Sequence, residues 1–569
     1  MRTRVLLGWS LAAALLLIAL YGPSVRAHVE RAWHPLVYND DARQQIAPFH
    51  RYAGPDFLPD DLLSDYFLSL FPVGYHAMYF AAAKLWDPIS MSHLLQYVLM
   101  VLAPVALTAA AARLAGPAAI PVAAVLAVGT STLWRNAGGG LPHSFGYPLL
   151  AVGAALLVFG RIRLLAASAV LAAGFYPMVG ALLGIALGLL LLLSPAADRG
   201  SAREWSFRSR MGFLAATALA MAALQVAPAL ASRSWGDLIG PDRFSEYPEA
   251  GRRGRYGAAL ARPWPELLVS VPLAAERSLE TRGDPFVPSA RSWLDQPQPT
   301  GAASRRSVVT AVLIGFSLLG WLGLAGRDTA ARRLLVLPLA LSLAHEAAIR
   351  LDPYFYLPVR YVGYVVPTLM WILLPAAAAG CVALLPGGAQ RPKLRAVAVL
   401  AAGAVFLAVL GGGVQLRAGV SHDGRRFGPL LKAVGETPRD ALIAGWPNGP
   451  IQEVTLIERR VAFITWESHQ AFHAGFMDTM RVRMRALIDA YFAVTAEPVE
   501  RLRDEHGVTH LIVEPSQLSD RAPTYFSPFH TDIRAARARA GGRSWLLEQI
   551  ESGRGKQYGR YVLLPLADL

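Results

Sequence analysis

Long apolar stretches recur along this chain, and no other feature constrains its fold as tightly. About eleven of them read as membrane spans: roughly 5–22, 89–112, 118–134, 146–160, 164–177, 178–195, 211–232, 307–326, 334–349, 361–385 and 396–414. Inside a bilayer every backbone N–H and C=O must be satisfied within the protein, which leaves helices as the form for such segments. Only 17% of the 569 residues are charged, against about a quarter in ordinary soluble chains, and the mean hydropathy is +0.36. The expected fold class is a polytopic α-helical membrane protein.

Arginines set its orientation. With the N-terminus inside, Arg2, Arg4, Arg113, Arg161, Arg163, Arg199, Arg203, Arg208, Arg210, Arg327, Arg332, Arg333, Arg391, Lys393 and Arg395 all fall on the cytoplasmic side. The short outer loops near 135–145 and 350–360 hold only Arg135, Arg350 and Arg360. That asymmetry follows the positive-inside rule. It also accounts for much of the net charge of +14, so nucleic-acid binding is not expected. The first span follows Arg2 and Arg4 and resembles a signal peptide, but no small-x-small site closes it, and it is read as a retained anchor. One cysteine, Cys381, excludes an intramolecular disulfide and a cysteine-based metal site.

Three large segments then lie outside: a first loop (23–88), a middle loop (233–306) and a C-terminal segment (415–569), the last set apart from a membrane domain covering 1–414. In the first loop, "LLSDYFLSLFPVGYHAMYFAAAKLW" is aromatic and broken at Pro72. As a span it would invert every later loop, so a helix lying along the membrane is expected. The tail alternates strand-like runs ("DALIAGWP", "RVAFIT", "THLIVE", "RYVLLP") with amphipathic ones ("TMRVRMRALIDAYFA", "PVERLRDEHGV"), which predicts an α/β domain. It carries no GxGxxG or P-loop pattern.

Chemistry concentrates at the outer mouths. Asp40 and Asp41 open "DDARQQIA", followed by Arg43; Asp56, Asp60, Asp61 and Asp65 crowd the same loop. The plainer account is that Asn39 caps a helix whose first turn carries two aspartates. "RLDPYFYLPVRYVGYVVP" sets Arg350, Asp352 and Arg360 beside Tyr354, Tyr356, Tyr361 and Tyr364. Such residues form an interfacial aromatic belt with snorkelling arginines, or guanidinium forks that hold a phosphate. His345 and Glu346 are ionisable groups in an apolar run, which usually face a cavity or a partner. "RNAGGGLPHS" offers Arg135 and His143 on a glycine-rich turn. In "WESHQAFHAGF", Glu467, His469 and His473 lack the third ligand that a zinc site would need.

The acidic stretch, with one span before it and a membrane-lying helix after it, resembles the GT-C superfamily of lipid-dependent glycosyltransferases. That superfamily includes protein O-mannosyltransferases, aminoarabinose transferases and oligosaccharyltransferases. Many members open the first outer loop with Asp-Glu followed by Ala-Arg; here Asp40 takes the acidic catalytic position and Asp41 stands for the glutamate. "PVRYVGYVVPTLMWILL" is similar to the Arg-Tyr-then-proline segment of the family, which gives Arg360 the role of phosphate contact. The resemblance implies a polyprenyl-phosphate-sugar donor and an envelope glycan, lipid or protein acceptor. It implies inverting transfer at the outer face of a bacterial cytoplasmic (inner) membrane. Together with Arg360, the residues Arg43, Arg350, Asp352, Tyr361, His345 and Glu346 make up the expected substrate-binding set. The sequence requires no cofactor; a divalent metal stays open, since the resembled families differ on it, but no residue pattern here supports one. A transporter or flippase with an acidic entrance, and a silent scaffold for envelope assembly, stay open as alternatives.

Overall fold

The computed structural model describes residues 2–54, 56–129, 133, 137–194, 199–249, 302–350, 359–387, 390–410, 422–469, 472–519 and 523–569. The chain opens with helix α1 (Arg2–Ala32), the two-residue strand β1 (Val37–Tyr38) and the one-turn helix α2 (Ala42–Gln45). Helices α3 (Leu62–Leu70) and α4 (Val73–Ala83) complete the first loop. There follow α5 (Pro88–Ala115), α6 (Ala119–Gly129), α7 (Gly146–Phe159), α8 (Ile162–Phe175), α9 (Pro177–Leu192), α10 (Phe207–Ala231), α11 (Ala302–Ala325), α12 (Val336–Arg350), α13 (Val359–Leu384) and α14 (Pro392–Leu410). Each stretch read as a span coincides with one of these helices. Among the described residues, five segments are long and apolar enough to cross a membrane: Arg4–Ala32, Pro88–Ala115, Pro142–Phe159, Phe207–Trp235 and Arg360–Leu384.

Burial orders these helices. The most apolar window of Arg360–Leu384 is 94% buried, while those of Arg4–Ala32 and Phe207–Trp235 are each 6% buried. α13 is therefore the core of the bundle, and α1 and α10 turn their leucines and valines outward. α11 lies against α13 so closely that a Cβ on Gly380 would overlap the Gly320 carbonyl oxygen. Small residues at such crossings let backbones touch and gain dispersion contact in place of a hydrophobic drive.

One helix departs from its expected bounds, and a second break falls at the proline where it was expected. α1 continues to Ala32, well past residue 22, and carries Pro23 within it; Arg26 and Glu30, paired at 2.9 Å one turn apart, support the polar extension. α3 and α4 break at Phe71–Pro72, because proline lacks an N–H and forces the residue before it into extended backbone. Their aromatic residues divide: Tyr66, Tyr75 and Tyr79 are fully buried, while Phe80 is exposed, as are Leu85 and Trp86 just beyond α4. Phe49 stacks on Phe71 and Tyr79 at ring distances of 5.3 and 4.9 Å, which fixes this helix pair under residues 42–53.

The C-terminal segment contains β2 (His422–Asp423), α15 (Gly428–Gly435), β3 (Leu442–Gly445), β4 (Val461–Ala462), α16 (Ala474–Tyr491), α17 (Glu497–Asp504), β5 (His510–Val513), α18 (Phe529–Ala540), β6 (Lys556–Tyr558) and β7 (Tyr561–Pro565). Its sheet has the order β4-β3-β5-β7-β6, parallel across the first three strands and antiparallel beyond. β2 leaves that sheet and pairs with β1, setting Tyr38 opposite His422. The start of the middle loop is fastened to the same segment. Ile239 N–H donates to the Phe472 carbonyl at 2.9 Å, and Arg481 pairs with the buried Glu249 at 2.6 Å.

Candidate active site

β1 delivers the chain directly to the acid pair. Asn39 Oδ1 accepts the Asp41 N–H at 3.0 Å, an Asx turn that bends the chain into α2. Asp41 occupies the N-cap position of α2, yet its carboxylate caps no backbone N–H there. It faces sideways instead: Gln44 Nε2 donates to Oδ1 at 3.4 Å, and His143 Nδ1 lies 3.9 Å from Oδ2. Asp40 is the more exposed of the two.

Neighbouring elements hold both sides of this contact. Tyr75 donates its hydroxyl to the Gln45 carbonyl at 3.0 Å, at the end of α2. One turn along α4, Tyr79 donates to the Gly140 carbonyl at 2.9 Å and so fixes the loop that carries His143. Gly139 brings that loop against the acid pair: its φ is +85°, and a Cβ there would lie 2.7 Å from Asn39 Cβ. Only glycine adopts that backbone at so close an approach without strain.

The far side of His143 belongs to α13. Tyr364 donates its hydroxyl to the His143 carbonyl at 3.2 Å, and the Arg360 guanidinium lies within electrostatic reach of the imidazole. Arg360 Nη1 also donates to Tyr176 Oη at 3.4 Å, and the Tyr176 and Tyr364 rings meet at 5.5 Å. The polar wall thus runs from Asp41 across the His143 loop to α13, where Tyr364 holds that loop one turn from Arg360 and Tyr361 is buried.

Other expected residues lie elsewhere. Arg350 pairs with Glu346 at 3.6 Å along α12, with side chains 78% and 53% exposed, and neither joins this wall in any described contact. His345 is buried on the same helix. Asp352, Tyr354, Tyr356 and Arg135 lie outside the described residues. Of the crowded acids, Asp61 is an N-cap that accepts from Leu63 N and Ser64 N, each at 3.2 Å, and Asp65 pairs with Arg51. Glu467 turns toward Arg43 at 4.0 Å, whereas Tyr525 and Tyr66 engage His469 and His473. Among the described residues no group of three or more His, Cys, Asp and Glu side chains is arranged to hold a metal ion.

A second polar cluster sits directly behind α2, and the sequence reading missed it. Arg43 donates from Nε to the Asp40 carbonyl at 2.9 Å and from Nη1 to Glu453 Oε1 at 3.4 Å. His422 Nε2 lies 2.8 Å from that same Glu453 oxygen. Burial pushes the Glu453 carboxyl well above the usual range. The His422 imidazole is pushed down to about 3 by burial, then by the charges of Arg43 and Arg426. An adjoining cavity of about 20 Å³, lined by Arg43, Gln452, Thr455 and Glu467 among others, has room for one water molecule and none for a sugar. The one signal in the sequence was a lone glutamate inside the apolar run "PIQEVTLI".

Fold and site together define a class: a predominantly helical, multi-pass membrane protein with a polar site where its first loop meets the mouth of its central helix. No family model and no curated protein matches the chain. Among solved structures it is similar to the apo oligosaccharyltransferase of Archaeoglobus fulgidus, at 12% identity and a TM-score of 0.48 over 97% of this chain and 72% of that one. The archaeal oligosaccharyltransferase AglB from the same organism, in complex with an inhibitory peptide and a dolichol-phosphate, matches at 13% identity and a TM-score of 0.47 over 98% and 74%. ArnT from Cupriavidus metallidurans matches at 14% identity and a TM-score of 0.47 over 90% of this chain and 93% of that one. These neighbours are GT-C proteins, and at such identities the likeness is one of overall shape.

Proposed function

We propose that this chain is a glycosyltransferase that moves a sugar from a polyprenyl-phosphate donor to an envelope acceptor at the outer face of the cytoplasmic membrane. The observation that carries the reading is the His143 loop, which lies beside Asp41 on one side and is bonded by Tyr364 to α13, one turn from Arg360, on the other. A carboxylate site opposite a cationic phosphate site is what single-displacement transfer needs. The N-terminus is inside and the segment 415–569 forms an extracytoplasmic α/β domain, in keeping with the arginine distribution.

In this reaction an acceptor hydroxyl attacks the anomeric carbon, and the bond from that carbon to the phosphate oxygen breaks. The hydroxyl proton passes to Asp40 as general base, because Asp40 is the more exposed of the pair and meets an acceptor arriving from water. The electron pair leaves with the polyprenyl phosphate, whose growing charge Arg360 stabilises. Asp41 orients His143 and, through it, the two halves of the site. The anomeric configuration inverts.

The test is a transfer assay with polyprenyl-phosphate sugars on purified protein. Asp40→Asn is expected to lower the rate by roughly 10²–10⁴ with the melting temperature nearly unchanged. Asp41→Asn is expected to have the milder effect on rate. Transfer that survives both substitutions would leave the acids structural and remove the basis of the assignment.

A further inference from the structure

The cluster behind α2 takes no part in the reaction above, yet it buries an arginine against two glutamates. The Arg43 side chain is 9% exposed, Glu453 is 0% and Glu467 is 10%. Desolvating such groups is costly, and favourable packing alone does not select for it. We propose that Arg43 is a positioning residue: held by Glu453 and Glu467 of the C-terminal segment, it grips the Asp40 carbonyl and fixes the acid pair. This deepens the glycosyltransferase reading and rests on it.

Four observations converge on the assignment. First, α2 has only four residues, and a helix of one turn has no stability of its own, so its geometry must come from outside contacts. Second, Arg43 is a three-way fork, with Nε on the Asp40 carbonyl, Nη1 on Glu453 and Nη2 toward Glu467. Lysine, a point charge on a flexible stem, cannot span all three. Third, the segment that supplies Glu453 docks on the first loop at two further points. His50 Nε2 is 2.9 Å from the Leu456 carbonyl, and Arg459 pairs with Asp87 at 3.2 Å. Fourth, residues Val454–Glu458 of that segment form a π-helical turn, a costly form that occurs often at functional sites. The C-terminal segment is thus part of the scaffold that aims the acids.

The experiment uses the full-length protein and the variants Arg43→Lys, Arg43→Met and Glu467→Gln. In the transfer assay both Arg43 variants should lose about 10²-fold in kcat, as a displacement near 1 Å can cost, with the KM for donor unchanged. Arg43→Met should cost nothing further in an Asp40→Asn background, since both act through one base. Amide hydrogen exchange over 41–46 should accelerate in each variant while β3 and β5 keep their protection. Glu467→Gln, which preserves shape, should show the same loosening if the Arg43 variants fold poorly. Normal kcat in both Arg43 variants of an active enzyme, or a change in KM alone, would overturn the proposal. So would unchanged exchange over 41–46, whatever the activity. If the wild-type protein transfers no sugar while Arg43→Met still loosens 41–46, the anchoring stands and the enzymatic reading falls separately.

Discussion

Acidification should undock the C-terminal segment from the first loop, and His50 supplies a measurable share of that effect. Its ring is fully buried, Nε2 meets the Leu456 carbonyl at 2.9 Å, and Nδ1 has no hydrogen-bond partner among the described residues. Burial, then the charge of Arg459, lowers its pKa to about 4 from an ordinary 6.5. The undocked state binds the proton more tightly, so the stabilisation is complete above about pH 6.5 and is lost progressively as the pH falls toward 4. At pH 5 the difference amounts to about 2 kcal/mol, roughly a thirtyfold rise in the population of the open form. Glutamine in place of His50 can still donate to the Leu456 carbonyl but does not titrate. Hydrogen exchange over residues 451–459, corrected for intrinsic rates, should therefore accelerate between pH 7.5 and 5 in the wild type. In His50→Gln the acceleration should be smaller by about that thirtyfold factor. Parallel acceleration in the two proteins would refute the assignment to His50, and flat profiles in both would refute acid undocking altogether.

Further outcomes follow from the same contacts. Gly139→Ala should destabilise the 138–145 loop by about 1–3 kcal/mol and lower transfer, read by thermal melting and turnover; a neutral result would mean that the loop can shift away from Asn39. Tyr79→Phe removes one buried hydrogen bond and leaves the Gly140 carbonyl unpaired, so a loss of about 1–3 kcal/mol in melting experiments is expected. Gly380→Leu should split α11 from α13 and abolish folded protein in detergent, because a side chain there meets backbone. Reporter fusions after Pro386 should read cytoplasmic and those after Val420 extracytoplasmic; the reverse would mean a miscounted span, most directly at 66–86.

The helical bundle was legible because its signal is local and long: each apolar stretch needs only its own backbone to satisfy itself. The strands were legible for a related reason, since "DALIAGWP" and "THLIVE" mark β3 and β5 with short apolar runs bounded by breakers. What could not be read is contact between distant segments. The β1–β2 ladder joins Val37 to Asp423 through two residues a side, too short for any period to show. The partnership of Arg43 with Glu453 spans 410 positions and leaves no pattern at either end. In the acidic loop the residue types were visible but their division of labour was not. Asp61 and Asp65 are a cap and an ion-pair partner, and only packing sets Asp41 apart by turning it toward His143.

That packing also weighs on the alternative of a transporter. Alternating access needs a binding site whose two halves separate as the protein changes state, with its charged groups near the bilayer midplane. Here the acid pair is tied from several independent directions. β2 pairs with the strand before it, Tyr75 holds the helix after it, and Arg43 joins it to Glu453 beneath. The loop opposite is pinned by Tyr79 and by Tyr364, which belong to different helices. Any motion that opened the Asp41–His143 contact would strain part-buried hydrogen bonds on the α2 side and the buried Tyr79–Gly140 bond opposite, and a buried partner left unsatisfied costs about 1–3 kcal/mol. A site so restrained is poorly suited to rocking and well suited to holding a base and a phosphate contact at fixed separation. Rigid placement of that kind is the larger part of what a transferase active site must provide.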